Sequence, residues 1–420
     1  MPSISEVIEA HRPALGQYED LYKHFHTSPE LSFQETETAA KIVDHLKSLD
    51  VYEIFANIGG GVAAVLKNGA GKTILLRADI DALPVEEKSG VEYASTRRMK
   101  DLDGAMKPCM HACGHDMHIT ALLAAAETLA KAKEMWVGKL VLVFQPAEER
   151  AGGARAMVDG GLYQKVPEPD LCVGAHVMAY RAEGVIGTRH GLVASSADSF
   201  LLTIHGRQAH ASMPSRSIDP IVQASSTILR LQTIVAREVD PADFAVVTVS
   251  AIHAGDAENI IPDRADVKIN VRTAKPEVRE RVLSSIRRII DAEAAASNAP
   301  PPEFKPTTQF PFLYNDPDVT FALEKTFSSL FPLSPHGYTT DIPRLPGSED
   351  FGILATSIGK PSCFFLYGGT DPGLYDKAEK EGKLLELPVN HSPFFIPVLQ
   401  PTLKVGVDGY VAAALTFLGK

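Results

Sequence analysis

Helical and extended hydrophobic patterns alternate along the first 190 or so residues. Apolar positions recur every three to four residues about Ser5–Phe25 and Glu35–Leu49, which predicts two helices with one buried face each. Between them and the middle of the chain lie the short apolar runs GVAAVLKN, TILLRADI, KLVLVFQP and LCVGAHVM, read as buried strands, and the longer run ITALLAAAETLAKAK, read as a buried helix. Such alternation predicts an α/β layer around a largely buried sheet. From about Gly191 the order changes to strand SFLLTIHG, helix SIDPIVQASSTILRLQTIVARE, strands FAVVTVSAIHAG and ADVKINVRTA, helix PEVRERVLSSIRRIIDAEAAA and strand EFKPTTQFPFLY. This βαββαβ order predicts a ferredoxin-like domain of about a hundred residues. The Pro-rich SNAPPPEFKP marks its exit, and DVTFALEKTFSSL, SCFFLYGG and VGVDGYVAAALTFLG then resume the first style. The expected organisation is one α/β domain, residues 1–190 and 305–420, interrupted by an insert at 191–304.

Composition narrows the partners. At 420 residues, 45% hydrophobic and 22% charged, the chain can bury sizeable cores and is not a disordered segment. Forty-one Lys and Arg against 52 Asp and Glu, a net charge of -11, argue against a phosphate-tracking surface and so against nucleic acid. The first residues, MPSISEVIEAHRPALGQYEDLY, are charged throughout and hold no apolar signal core. No apolar run approaches the roughly 18 residues of a membrane span, so no membrane partner is expected. Four cysteines, Cys109, Cys113, Cys172 and Cys363, are too few for a disulfide framework, which favours a reducing, cytoplasmic setting.

Two apparent motifs fall away on inspection. NGAGKT lacks the first glycine of a phosphate-binding loop, having Leu66 there, and is read as a hairpin turn between VAAVLKN and TILLRAD. No Gly-x-Ser-x-Gly elbow occurs, which weakens a serine-hydrolase reading.

The densest chemistry is Met110-His111-Ala112-Cys113-Gly114-His115-Asp116-Met117-His118, immediately before the apolar helix. A thiolate and an imidazole two residues apart can reach one divalent ion, or one each of a close pair; a polar helix cap with a buried cysteine is the plainer reading. The second signal is Glu148 with Glu149 in Gln145-Pro146-Ala147-Glu148-Glu149, at the carboxyl end of KLVLVFQP, where open α/β sheets place their ligands. Adjacent acids repel unless a cation lies between them, and one binding metal while the other carries protons resolves that repulsion. A solvated acidic loop is the alternative. His176, after LCVGA, and His391, in Asn390-His391-Ser392-Pro393, are each ordinary core or surface histidines taken alone. Added to the cluster they complete a set of Cys, His and Glu donors sufficient for two metals with an open water position. Asp79 and Asp81 close the strand TILLRAD; they either orient ligand histidines or are plain strand-end acids. Arg272 ends VKINV, and a guanidinium is the natural bidentate partner of a carboxylate, although an ordinary strand-end arginine fits equally.

In their order along the chain these pieces resemble the metal-dependent aminoacylase and carboxypeptidase superfamily. The resemblance narrows to the branch of hippurate hydrolases, N-acyl-amino-acid amidohydrolases and indole-acetyl-amino-acid hydrolases. It is carried by His26-Thr27-Ser28-Pro29-Glu30-Leu31 with Glu35-Thr36, RADIDALP, MHACGHDMH, QPAEERAGGARAMVDGG, GAHV, GRQAHASMP, ENIIPDRADVKINVRT, GSEDFG and HSPFF. It implies a dinuclear-metal peptidase-like α/β domain with an inserted ferredoxin-like domain that serves dimerisation and lid closure. By the same resemblance Cys113, His115, Glu149, His176 and His391 are the ligands of two divalent ions per subunit, and Glu148 is the general base and acid. The wider superfamily carries a histidine before its strand-end aspartate, where this sequence has Arg77-Ala78-Asp79; the resemblance therefore puts Asp79, with Asp81 and Asp116, around the ligands rather than on the metal. It also implies a homodimer or higher homo-oligomer in which His210 reaches the partner's active site to steady the oxyanion, and a substrate carboxylate held by Asn259 and Arg272. Zn suits a thiolate ligand best, with Mn, Co or Ni also fitting so mixed a set. The implied activity is hydrolysis of N-acyl amino acids to a carboxylic acid and a free amino acid. The alternatives are a dipeptidase or carboxypeptidase of the same superfamily and a non-catalytic metal-binding relative.

Overall fold

The computed structural model describes residues 2–332, 336–345 and 347–420, and divides the chain into two compact units. Unit 1 comprises residues up to Val193, Tyr314–Pro343 and Asp350–Lys420; unit 2 comprises Ala194–Leu313 and Arg344–Glu349.

Unit 1 opens with two helices where the periodicity alone suggests one, α1 (Ile4–His11) and α2 (Gly16–Thr27). Ser3 and Glu6 form a reciprocal capping box at the start of α1. Pro13 then forces Arg12 into an extended conformation (φ -61, ψ 128), which no helix can run through. After α3 (Thr36–Ser48) come β1 (Glu53–Ile58), β2 (Gly61–Asn68), β3 (Thr73–Asp79), α4 (His115–Lys131), β4 (Gly138–Gln145), β5 (Leu171–Ala182) and the short β6 (Ile186–Gly187). The chain passes through unit 2 and returns with α7 (Pro317–Leu330), β11 (Tyr338–Thr339), β12 (Ser362–Thr370) and α8 (Leu399–Leu418). Unit 1's sheet has eight strands in the order β1-β2-β4-β3-β5-β12-β6-β11.

NGAGKT does not close a hairpin. Lys139 pairs with both Lys67 of β2 and Thr73 of β3, so β4 lies between the two strands that the turn connects. β2 meets β4 antiparallel and β6 meets β12 antiparallel, whereas β4, β3, β5 and β12 run parallel to one another. Their carboxyl ends therefore share one edge, and β3 is buried along its whole length, as parallel strands covered on both faces must be. α4 and α8 pack together on the sheet; their Ala-rich faces permit close approach, and Gly406 of α8 sits against Ala121 and Tyr367. Burying each Leu, Val or Phe of this core contributes roughly 1.5–3 kcal/mol.

Unit 2 is built from β7 (Ser196–His205), α5 (Pro220–Glu238), β8 (Ala245–Ala254), β9 (Arg264–Thr273), α6 (Pro276–Ala296) and β10 (Glu303–Phe310). Its sheet runs β8-β9-β7-β10, antiparallel at every step, which is the ferredoxin-like strand order. On β9 the alternate residues Ala265, Val267, Ile269 and Val271 are buried, and they meet Leu231 and Ile234 of α5 and Val282, Ile286 and Ile289 of α6 in one core. α5 starts at Pro220 behind Asp219, whose carboxylate accepts the N–H groups of Ile221 and Val222. The boundary expected at residue 304 falls inside β10. Because β10 is hydrogen-bonded to β7 from Glu303 to Phe310, the unit continues to Leu313.

Candidate metal centre

The parallel strands of unit 1 deliver acids and imidazoles to their carboxyl edge. β3 ends at Asp79 with Asp81 just beyond, β5 carries His176, and a single 3-10 turn, Glu148–Arg150, follows β4. Two glycines make the local geometry possible. Gly114, at φ +85, turns the chain between Cys113 and His115 so that α4 can begin; a Cβ there would lie 2.4 Å from Val177 Cγ1. Gly153 lets the chain after Glu149 fold back on the end of β4, where a Cβ would meet the Pro146 carbonyl at 1.5 Å.

The glutamate turn is bracketed by Ala147 (φ 47) and Ala151 (φ 53), both left-handed, a conformation that costs an L-residue about 1–2 kcal/mol. Two carboxylates hold it in place. Ala147 N–H donates to Glu35 Oε1 at 2.7 Å, and Glu149 N–H donates to Asp81 Oδ2 at 3.1 Å. Burial, with the neighbouring Asp81 charge, pushes the Glu35 carboxyl up to about 8.

The imidazoles are fixed by what their other nitrogens meet. His176 Nδ1 donates to the Val177 carbonyl at 2.7 Å, which leaves a lone pair on Nε2, 3.4 Å from Cys113 Sγ. His115 Nδ1 donates to Asp81 Oδ1 at 3.2 Å, leaving Nε2 as the free donor atom. His118 is different: Nδ1 donates to Asp79 Oδ1 at 2.5 Å and Nε2 accepts the Val177 N–H at 2.8 Å, so both nitrogens are committed. Asp79 also accepts from the fully buried Arg77 at 2.9 Å and lies 3.5 Å from His115 Nε2. Asp116 turns away from the imidazoles of α4 and pairs with His26 Nδ1 at 2.6 Å.

Donor atoms of Cys113, Glu149 and His391 lie within 4.8 Å of one another, as do those of Asp79, His115, His118 and His176, and those of His115, Glu148 and Glu149. With His118 committed elsewhere, the first two sets abut through the 3.4 Å Cys113–His176 and 3.8 Å His115–Glu149 approaches. His115 Nε2 and Glu149 Oε1 are buried without any hydrogen-bond partner, and His391 Nε2 lies 3.3 Å from the same Glu149 oxygen. Orphaned lone pairs converging on one space are what a divalent cation satisfies. The electrostatics agree. Burial alone would lower the basicity of His115, yet Asp79, Asp81 and Glu149 outweigh it and raise its pKa to about 10. Burial and the charges of Glu149, Glu148 and Asp79 hold the Cys113 thiol well above its ordinary pKa. The carboxylate charges behind the His115 shift attract cations for the same reason, whereas burial and the His118 charge push His176 well below its ordinary range.

His210, Asn259 and Arg272 belong to unit 2. His210 pairs with Ile260 in a short ladder, and Ala211 N–H donates to the Asn259 carbonyl at 2.9 Å. His210 Nδ1 accepts the Ser212 N–H at 3.1 Å, so its ring proton sits on Nε2 of an exposed side chain. Arg272 lies on β9 with Nη1 3.4 Å from Ser348 Oγ.

Arg77, His26, Glu35 and Asn390 fall within or beside the quoted motifs, but the sequence assigns none of them a role. Arg77 shares a strand face with Asp79 by the two-residue period, the one signal that could have found it. His26 sits between two acids: burial would lower its pKa, but Asp116 and Glu87 at 2.6 and 3.1 Å raise it from 6.5 to about 9. A folded-state pKa above the unfolded one contributes stability that is full below pH 6.5 and is lost as pH rises through 9. The shift corresponds to about 3 kcal/mol at most. The melting temperature is therefore expected to fall between pH 6.5 and 9, and to fall less steeply in His26→Gln; equal slopes would remove this role from His26.

Soft and hard donors gathered at the carboxyl edge of an open sheet, beside a second glutamate, define a metallohydrolase on an α/β scaffold. The chain belongs to peptidase family M20/M25/M40, whose sequence profile matches residues 75–382. It is an amidohydrolase of that family, in the superfamily branch that its motifs resemble. It is 40% identical over 365 residues to hippurate hydrolase of Campylobacter jejuni, covering 86% of this chain and 91% of that one. It is 33% identical over 403 residues to thermostable carboxypeptidase 2 of Saccharolobus solfataricus, covering 95% and 94%. A Bacillus subtilis protein solved as a dinuclear metal-binding peptidase of the M20 family superposes with a TM-score of 0.73 at 30% identity, over 96% of this chain and 98% of that one. Among the described residues no helix is long and apolar enough to cross a membrane.

Proposed function

We propose that the chain is a metal-dependent amidohydrolase that cleaves N-acyl amino acids into a carboxylic acid and a free amino acid. The observation that carries this reading is the adjacent pair of buried Glu148 and part-buried Glu149 among converging thiol and imidazole donors, with Glu149 Oε1 and His115 Nε2 both lacking hydrogen-bond partners. Cys113, His115, Glu149, His176 and His391 would hold two divalent cations, Zn first and Mn, Co or Ni after it, with Asp79 and Asp81 supporting His115 from outside; Asp116, expected beside them, is instead spent on His26. Bound there, the cations would supply Lewis acidity, lowering the pKa of water toward neutrality and polarising the scissile carbonyl.

The chain's own groups do the rest. Glu148 takes a proton from the attacking water as the oxygen–carbon bond forms, and hands it to the nitrogen as the carbon–nitrogen bond breaks. His210 donates its Nε2–H to the oxyanion, consistent with the tautomer that the Ser212 N–H imposes. Asn259 and Arg272 hold the substrate's carboxylate, the fork of Arg272 matching its two oxygens. In this reading the protein is a cytoplasmic homodimer, unit 2 serves both dimerisation and closure, and His210 acts in the partner's site. Four cysteines without a disulfide among them support the reducing compartment.

The shared site has a direct consequence. His210→Ala should lose about 10²–10³ in kcat. Mixed with Glu148→Gln under subunit exchange, it should recover activity, because each hybrid dimer then holds one site with both groups intact. No recovery in exchanged mixtures would place His210 within its own subunit's chemistry.

The match to a carboxypeptidase over 95% of the chain favours a second reading, in which the acyl donor is itself an aminoacyl group. The test is kcat/KM on matched pairs, such as N-benzoylglycine against glycylglycine. A clear preference for the blocked member supports the acyl-amide reading, and the reverse order replaces it with peptidase activity.

A further inference from the structure

The five donor residues sit on separate stretches of chain, and one side chain outside that set ties three of the stretches together. Asn390 Nδ2 donates to the Cys113 carbonyl and to the Val177 carbonyl, both at 3.1 Å. Its Oδ1 accepts the Ala179 N–H at 3.0 Å. Only one orientation of the amide satisfies two acceptors and one donor, so the placement of oxygen and nitrogen is fixed by the partners. The Val177 carbonyl also receives the Nδ1–H of His176, the contact that leaves the Nε2 lone pair facing Cys113. Asn390 therefore bonds the backbone at Cys113, bonds the carbonyl that sets the tautomer of His176, and precedes His391 in sequence. His391 is itself left-handed (φ 74) with its N–H on the Ala112 carbonyl at 2.8 Å, a strained conformation that needs such anchoring.

We propose that Asn390 is a positioning residue that sets the metal affinity of the site by locking the Cys113 turn, the His176 strand and the His391 loop into one arrangement before metal arrives. This rests on reading Cys113, His176 and His391 as ligands. Residues that orient ligands typically change metal affinity 10–100-fold when removed.

The test turns on opposite signs. Asn390→Asp has the same shape but no N–H, so two carbonyls lose their donor. It also adds a negative charge near the cations, which by Coulomb attraction alone would tighten binding. Zn affinity, measured by chelator competition on the apo-protein, is expected to weaken about 10–100-fold in both Asn390→Asp and Asn390→Ala. In the Co-substituted protein the thiolate-to-Co charge-transfer band should weaken as Cys113 loses its register. Tighter binding in Asn390→Asp, or wild-type affinity in Asn390→Ala, overturns the proposal, including where the melting temperature falls, since a merely structural role lowers stability without changing affinity. If the aspartate variant does not accumulate, Asn390→Ala decides alone. Cys113→Ser separates the two levels. If it binds Zn and Co like wild type, the ligand reading has failed; if it loses them while the Asn390 variants do not, only the role of Asn390 has.

Discussion

Glu148→Gln should lower turnover by about two to four orders of magnitude while metal content and KM stay close to wild type. The substitution preserves shape and removes only the capacity to accept a proton. Glu148 is 6% exposed, on a turn pinned by Glu35 and Asp81, so the backbone geometry that Gln inherits is already fixed. What is lost is the acceptor for the water's proton and, later, the donor to the leaving nitrogen; one group performs both transfers, so one substitution removes both. Metal analysis and substrate binding on the purified variant check the separation of roles. Near wild-type turnover would remove Glu148 from the reaction, and loss of metal would recast it as a ligand.

Removing the metal should have a still larger effect: chelation is expected to abolish turnover, and re-adding Zn or Mn to restore it. Cys113→Ser should reproduce the chelated state at ordinary metal concentrations, because Cys113 bridges the two donor sets, 3.4 Å from His176 on one side and grouped with Glu149 and His391 on the other. The serine hydroxyl is a poor ligand at neutral pH, whereas a thiol gives up its proton when a soft cation takes its place. The high pKa that burial and the carboxylates impose on this thiol means that metal uptake releases a proton, observable by calorimetry in buffers of different ionisation enthalpy. Activity that survives exhaustive chelation, or a Cys113→Ser enzyme with full metal and full rate, would contradict this assignment.

Much of the fold and the site is legible in the amino-acid sequence, for physical reasons that differ by element. Strand ends advertise themselves: TILLRAD is apolar as far as Leu76 and ends at Asp79, and KLVLVFQP is apolar as far as Phe144, four residues before Glu148, because a buried parallel strand is largely apolar until it nears the edge where ligands sit. The ferredoxin-like unit is readable from β9 and α6, whose apolar periods of two and 3.6 change cleanly at Lys275-Pro276. Strand order is not readable. Nothing in VAAVLKN or TILLRAD states that β4 will insert between them, since that choice is made by pairing with residues about 70 positions away. Nor does Asn390 carry a local signal, its partners lying 211 to 277 residues earlier. The separation of α1 from α2 is written in Pro13, but the continuing apolar period conceals it.

The most direct measurement is hydrolysis of a mixed panel of acetyl, benzoyl, long-chain acyl and indole-acetyl amino acids together with dipeptides, read by mass spectrometry on the apo-protein and after re-addition of Zn or Mn. The account predicts metal-dependent release of free amino acid from one or more of the acylated members. Cleavage of the dipeptides alone, or silence from every substrate with every metal, would contradict it.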